Sequence, residues 1–573
     1  MSFLRHLLRR YLLPILLPVS LISLVYIYLY PLFHGNACTF PLPTYTSEPS
    51  PFSPFLHTLA DHLPITTTNN NTDAKAPFRL LILADPQLEG DTSLPSPADS
   101  LSQKLATYYT DIFHTGPGKY TSRGVREHTY TSLLRNTLRT LVTRDLPVAL
   151  RAARKRLDLW GNDYYLAHVY RTLRWWARGT HTVVLGDLVG SQWVDGGEFE
   201  ERGRRYWGRV FAGGEKVDVE EDGWEEELGD RDWERRVINV AGNHDIGYAG
   251  DISWKRMERF ERVFGKGDWD VRFKYPEGQQ EDGSVVPTLH MVVLNSLILD
   301  TPAFNQSLQD ETYRFLNGVI DKRSSPLNAS EESFTLLLTH VPLHKQAGIC
   351  TDAPYFGYFD EDDTEPEIGE DGETEPRFQA GGLREQNHLS DHISQKGILE
   401  GIFGMGADEK GRNGVILTGH DHTGCDVVHY VDRQTQTPQE EEEVGQGEGD
   451  GESWSWNARR YTTSPPPSSP TSETETDSPS IREVTLRSMM GEYGGNAGFL
   501  SVWFDTHPEN RGWKYEISTC MFGVQHIWWG VHGVAVVTGV LVFVWGVLEV
   551  WEGRGKGRRR ERERREMGVK KRQ

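Results

Sequence analysis

The stretch Leu417-Thr418-Gly419-His420-Asp421-His422 sets two histidines directly after a short apolar run, and Leu337-Leu338-Thr339-His340 does the same with one. A short apolar run of this kind reads as a buried strand, so each histidine falls on the turn that follows it. The arrangement recurs at Leu81-Ile82-Leu83-Ala84-Asp85, at Gly186-Asp187 and at Gly242-Asn243-His244-Asp245, the last two again behind β-branched or apolar residues. Five strand ends thus deliver Asp, Asn and His toward what reads as one edge of a sheet.

These residue types suit a pair of divalent cations. Two ions held about 3.5–4 Å apart need a carboxylate that gives one oxygen to each, and Asp187 is the candidate bridge. Imidazoles and an amide oxygen fill outer positions for Mn, Fe or Zn without adding negative charge. Glycine before Asp187, Asn243 and His420 suits a tight turn where backbone passes close to the ions. His244 neighbours a ligand without having to be one, and is free to protonate a leaving oxygen. The chemistry expected of such a site is hydrolysis of a phosphoester.

In order along the chain, the pieces resemble the calcineurin-like metallophosphoesterase superfamily, whose pattern runs D-x-H, G-D, G-N-H-[DE], H and G-H-x-H. They stand here as Asp85-Pro86-Gln87, Gly186-Asp187, Gly242-Asn243-His244-Asp245, His340 and Gly419-His420-Asp421-His422. The resemblance implies that Asp85, Gln87 and His422 hold one ion and Asn243, His340 and His420 the other, with Asp187 shared. It also implies His244 as general acid and Asp245 as its orienting partner. The fold implied is α/β, a two-sheet β-sandwich flanked by helices. The chain departs from the pattern at Gln87, where the family has histidine. An amide oxygen is a poorer donor than imidazole for Zn or Fe and suits Mn or Mg better. Two divalent ions are expected, Fe and Zn among the candidates, with one of them bound weakly or a different metal from the other.

The chain has 573 residues and a net charge of −21, room for one large domain with appendages. Both ends are basic: residues 1–10 carry Arg5, Arg9 and Arg10 without an acid, and 552–573 carry eleven Lys or Arg against four Glu. The stretch between them is more acidic than the whole and repels polyphosphate backbones, which disfavours a nucleic-acid partner. Inside each basic end lies a long apolar run, 11–33 and 527–551, with Tyr or Trp at the edges. Each is long enough to cross a bilayer as a helix. A cleaved signal peptide is the rival for the first, but its run exceeds the usual apolar core and no small-x-small site stands out in 34–38. Basic flanks place both ends, 1–10 and 552–573, in the cytosol, and the body in a lumenal or extracellular space. Sequons at Asn70, Asn305 and Asn328 agree with that side. Of the three connectivities open to four cysteines, position favours Cys38–Cys520 beside the spans and Cys350–Cys425 beside the site.

Between the spans, 34–76 reads as a linker and 77–520 as the phosphoesterase domain. A helical insertion is expected at 101–180, with helices at Glu127–Arg156 and Asp163–Arg178 and a cap at Asn162 or Asp163. The alternative is that Tyr164, Tyr165 or His168 lines a substrate site. Residues 212–236, with Trp224 and Trp233, read as a surface excursion. The acidic loop 359–376 and the insertion 432–480 are expected to be disordered. His388 and His392 are spaced for a helical metal pair but read as surface or packing residues. The last strand leads almost directly into the second span, which places the site near lipid.

The layout of anchor, lumenal phosphoesterase, second anchor and a dilysine-like end (Lys570-Lys571-Arg572-Gln573) narrows the resemblance. It looks like a eukaryotic branch of the superfamily whose members remove ethanolamine phosphate from a mannose of GPI anchors in the endoplasmic reticulum. Likeness to that branch implies a membrane glycolipid or GPI-anchored protein as substrate, Mn²⁺ as cofactor and the bilayer as a partner. It also implies COPI recognition of the tail and an ER location with cycling to the Golgi. The competing expectations are a lumenal protein or small-molecule phosphomonoesterase and a non-catalytic cargo or manganese-homeostasis scaffold.

Overall fold

The computed structural model describes residues 2–34, 37–43, 58–59, 62, 75–90, 99–113, 123–219, 223–275, 286–324, 332–362, 366–368, 374–406, 410–433, 454–462 and 478–570. Two sheets dominate. The first runs, in order, β18 (Gly512–Met521), β17 (Asn496–Asp505), β1 (Phe78–Leu83), β2 (His181–Val184), β5 (Arg236–Asn239) and β3 (Glu215–Lys216). The second runs β15 (Trp454–Arg460), β14 (Cys425–Arg433), β16 (Ser480–Thr485), β13 (Gly414–Thr418), β8 (Ser333–Thr339), β7 (Thr288–Leu294), β6 (Trp269–Lys274) and β4 (Trp224–Glu227). Alternation along each strand decides which face meets which. Phe78, Leu80 and Ile82 point into one buried cluster shared with Val271, Met291, Phe334 and Val415 of the second sheet, so the sheets pack face to face. Leu81 and Leu83 point the other way, into the layer of covering helices. The chain is a mixed α/β protein with two sheets, as expected.

The strands that carry site residues run parallel: β1 with β2, β2 with β5, β8 with β13, and β13 with β16. Parallel pairing puts all their carboxyl ends on one edge, where ligands of open α/β sheets gather.

Two terminal helices are long and apolar enough to cross a membrane, Phe3–Tyr28 and Gln525–Arg554. Only 11 % and 6 % of their apolar windows are buried, which is too little for core helices of a soluble domain. The first contains α1 (Leu13–Tyr28) and the second begins α9 (Gln525–Lys570). They pack on each other and mark the protein as membrane-associated. Both disulfides close as position suggested, Cys38–Cys520 with Cα atoms 4.9 Å apart and Cys350–Cys425 with 6.0 Å.

The insertion is helical: α2 (Leu101–Phe113), α3 (Arg123–Thr140), one wider turn at Leu141–Asp145, and α4 (Leu146–Ala177). The expected break near residue 161 does not occur, because Asn162 and Asp163 lie inside α4 rather than capping a new helix. Asp163 is fully buried and pairs with Arg205 at 2.6 Å and Arg209 at 3.0 Å, from α5 (Gly196–Arg205) and the turn after it. Further along, α7 (Trp254–Phe264) and α8 (Gln306–Ser324) add Phe260, Phe264, Leu316 and Val319 to the helical layer. The excursion at 212–236 also differs from expectation: Trp233 is completely buried and stacks among His181, Phe273 and Trp224. Burial of one large ring against two sheets outweighs the acidic surroundings. The loop 359–376 carries a small ribbon, β10 (Pro366–Ile368) with β11 (Thr374–Pro376), while β9 (Phe356–Tyr358) pairs with β12 (Leu383–Gln386). In 432–480, β15 adds a strand to the second sheet, while residues 434–453 and 463–477 lie outside the described residues.

Candidate metal centre

Backbone conformation singles out the site before any side chain does. Six described residues other than glycine have positive φ, and four are candidates: Asp85 (49°), Gln87 (40°), Asp187 (52°) and His420 (71°). Each such residue costs about 1–3 kcal/mol and persists only where its surroundings over-determine it. Here the β1–β2 pairing continues past the strand ends, with Asp85 N donating to Gly186 O at 3.3 Å and Gln87 N to Asp187 O at 2.8 Å. Gly186 (φ 86°) and Gly242 are required by space: a Cβ on the first would fall on the His340 ring, and on the second on the backbone of Asp187.

Asp187 sits at the centre. Its Oδ1 accepts from His244 N at 2.9 Å and lies 3.4 Å from His340 Nε2. Its Oδ2 lies 2.9 Å from Gln87 Nε2 and 3.8 Å from His244 Nε2. On one flank, donor atoms of Asp85, Asp187 and His422 all fall within 4.8 Å of one another. On the other flank, Asn243 Oδ1 is 3.0 Å from His340 Nε2 and 2.9 Å from His420 Nδ1. The tautomers there are set by carbonyls, because His340 Nδ1 donates to Leu185 O at 2.8 Å and His420 Nε2 donates to Gln386 O at 2.7 Å. When both rings are neutral, the nitrogens left facing Asn243 carry lone pairs that can bind a metal.

Electrostatics agree with that geometry. Burial first, and then the neighbouring Asp187, push Asp85 well above the usual carboxylate range. Its Oδ2 is buried without a hydrogen-bond partner among the described residues. Burial also pushes Asp187 upward, but His340, His244 and His420 outweigh it and hold that carboxyl low. Burial drives His420 down to about 4 and lowers His340 and His422, which favours the neutral imidazole that binds metals. A partnerless buried carboxylate oxygen and converging lone pairs are what a divalent cation relieves.

All nine residues singled out by sequence lie together, though two stand in unexpected relations. Gln87 presents its amide nitrogen, which donates to Asp187 Oδ2 and lies 3.1 Å from His422 Nε2. Rotating the amide would put Oε1 in the same place, the orientation ligation needs. Asp245 does not touch the His244 ring. Its Oδ1 accepts from Val189 N and its Oδ2 from Gly242 N, each at 2.8 Å, so it pins the turn of α6 (Asn243–Ile246) against the Asp187 loop. Backbone N–H groups reach that carboxylate before the ring can. The role expected for Asp245 is corrected accordingly, from orienting a side chain to positioning a loop. Tyr165 and His168 are likewise not at the site: the Tyr165 hydroxyl donates to Gly523 O, and the His168 ring packs on Tyr28 and Phe522.

Sequence reading missed the segment after β16. Ser488 Oγ donates to Asp85 O at 2.9 Å, Ser488 N to His422 O at 3.3 Å, and Met489 N to Ala84 O at 2.9 Å. Five residues on, the half-exposed Tyr493 ring sits 4.8 Å from that of His422. The same segment holds the second span, since Gln525 N donates to Gly491 O at 3.3 Å, Gly523 N to Gly494 O at 2.9 Å and Phe522 N to Gly495 O at 3.0 Å. One short loop thus touches candidate ligands on one side and the first turn of a membrane-type helix on the other. The glycines flanking Tyr493 in Gly491-Glu492-Tyr493-Gly494-Gly495 were its only sequence signal.

No family model matches the chain. The chain is similar to Protein TED1 of Saccharomyces cerevisiae, 29 % identical over 490 residues that cover 78 % of this chain and 88 % of the relative. An uncharacterized protein of Schizosaccharomyces pombe is 29 % identical over 296 residues, 48 % of this chain and 57 % of that relative.

Proposed function

We propose that this protein is a binuclear metal-dependent phosphodiesterase acting on a membrane glycolipid, most specifically one that removes ethanolamine phosphate from a mannose of GPI anchors. The observation that carries the membrane substrate is the loop Ser488–Asn496, which joins the candidate centre at Asp85 and His422 to the start of α9 at Gln525. An active site held at the entrance of a membrane helix meets lipid-linked phosphodiesters at high effective concentration and soluble ones without that advantage. The similarity to Protein TED1 over most of both chains is compatible with this reading and names no activity. Residence in the endoplasmic reticulum, with the body lumenal, belongs to the same proposal, as does COPI recognition of the dilysine-like end.

Asp85, Gln87 and His422 would hold one ion and Asn243, His340 and His420 the other, with Asp187 between them and Mn²⁺ as the metal. Bound there, the ions would supply positive charge to the phosphoryl oxygens and activate water. The rest falls to the chain. Water adds to phosphorus, the bond from phosphorus to the mannose oxygen breaks, and that oxygen takes a proton, giving free ethanolamine phosphate and a mannose hydroxyl. His244 supplies this proton from Nε2: the ring is 36 % exposed and the atom lies 3.8 Å from Asp187 Oδ2, at the boundary of solvent and site. Asn243, with His340 and His420 locked by carbonyls, keeps the donor set rigid, so little reorganisation is needed as charge develops.

Mass spectrometry of GPI glycans from cells lacking this protein tests the substrate, with one additional ethanolamine phosphate per glycan expected. An unchanged glycan profile, with hydrolysis of aryl phosphomonoesters by the purified chain, would replace the proposal with a monoesterase.

A further inference from the structure

The helical insertion carries a surface that neither the fold nor the metal centre uses. Along α3 and α4, Leu134, Leu138, Val142, Leu146, Leu150 and Leu157 are each between 42 % and 62 % exposed. A four-residue spacing drifts about 40° per step on a straight α-helix. The single wider turn at Leu141–Asp145 lies in the middle of this run and takes up the drift, so the side chains stay in one stripe. Packed on α3, α2 adds Leu105, Tyr109 and Phe113, exposed and again four apart. Two exposed apolar stripes on one arm exceed the scattered apolar residues of an ordinary surface.

Charge marks the occupant. Residues 131–160 carry seven Arg or Lys against two Asp, in a chain of net charge −21. One of those acids, Asp145, is buried and already engaged by Tyr108 at 2.6 Å and Lys104 at 3.4 Å. Exposed Arg135, Arg139, Arg151 and Arg154 flank the leucines. Apolar residues along one side with arginines beside them are the pattern of a helix lying in a bilayer interface.

Continuity supplies the second argument. The same helix reaches the membrane spans at its other end: Trp160 packs 6.3 Å from Trp529 of α9, a Cβ on Gly161 would fall on that indole, and Trp176 Nε1 donates to Tyr28 O at 2.9 Å. These contacts involve only the ends of the spans, so α4 crosses them rather than running alongside. Lys155 ties the arm to the site loop through Glu89 at 3.1 Å.

We propose that α2, α3 and the first half of α4 form an amphipathic arm that lies on the bilayer leaflet facing the body and binds anionic lipid headgroups. The apolar stripe enters the interface, and the arginines meet the lipid phosphates. A second copy of the arm is a poor occupant, since it would bring like-charged arginine rows together.

The test uses the full chain in phosphatidylcholine vesicles with and without phosphatidylserine. All four cysteines are in disulfides, so a single introduced cysteine is labelled uniquely. Leu138→Cys and Val142→Cys carry a fluorophore on the stripe, and Asn136→Cys carries it on the far face. Spin-labelled lipid should quench the first two several-fold more than the third. That difference should grow with phosphatidylserine and fall on Arg135→Glu/Arg139→Glu/Arg151→Glu substitution. Equal quenching at all three positions, no response to phosphatidylserine, or energy transfer between labels on separate chains would each overturn the proposal. Every readout is independent of hydrolysis, so failure here leaves the phosphodiesterase reading untouched.

Discussion

His244 is the side chain on which the proposed chemistry can be separated most cleanly from metal binding. Its ring nitrogen lies 3.8 Å from Asp187 Oδ2, at the boundary of solvent and site. His244→Ala should therefore lower kcat on a phosphodiester about 10²–10⁴-fold, with bound metal measured by elemental analysis unchanged. Loss of metal along with activity would make it a ligand instead. Gln87→His should move the metal-activation profile from Mn toward Zn or Fe, because imidazole replaces an amide beside Asp187 and His422. An identical profile in both forms would show that position 87 serves as a hydrogen-bond donor only. The candidate ligands were legible in sequence because each follows a short apolar strand. Ser488 was not, since its bond to Asp85 joins residues 403 apart and nothing local announces it.

At the scale of elements, α4 is where local pattern and structure part. Gly161-Asn162-Asp163 has the composition of a helix boundary, yet the helix runs through it. Buried Arg205 and half-exposed Arg209 need a carboxylate there, and Trp529 needs the space that only glycine leaves. Asp163→Ala would leave Arg205 buried without its charge partner. A loss of about 3–5 kcal/mol is expected, read as a fall in the thermal midpoint of the full chain in detergent. Arg205→Met together with Asp163→Leu should recover much of it, since neither charge then stays buried alone. The acidic 212–236 segment shows the same override, with Trp233 drawing into the core a stretch whose composition reads as surface.

Across the whole molecule, the second sheet is tied to the site loop by a buried triad. Glu483 of β16 meets Lys345 Nζ at 2.9 Å and His429 Nε2 at 2.6 Å, and accepts from Leu343 N at 2.9 Å, three residues beyond His340. Burial pushes this carboxyl up, but Lys345 and then His429 bring it down to about 2. A depressed carboxyl stabilises the fold fully above its unfolded pKa of about 4.3, a contribution lost as pH falls toward 2. The full contribution is about 3 kcal/mol. The difference in thermal midpoint between wild type and Glu483→Gln should thus shrink as pH falls from about 5 toward 2. A difference that stays constant down to pH 2.5 would show that the triad is not ionic.

The amino-acid sequence alone marked out the candidate donor set, its order along the chain and the two apolar terminal helices, and it favoured one of three pairings of the four cysteines. Each of these is written in a few adjacent residues or in the position of a residue relative to a span. Tertiary structure was needed to show that Asp245 holds a loop rather than a ring, and that the Ser488–Asn496 loop joins the candidate ligands to the second apolar helix. It alone aligned the leucines of the insertion into one face. Those outcomes depend on which backbone groups and side chains arrive together from distant parts of the chain. Packing and hydrogen-bond competition settle that, and both act only once the two sheets have closed on each other.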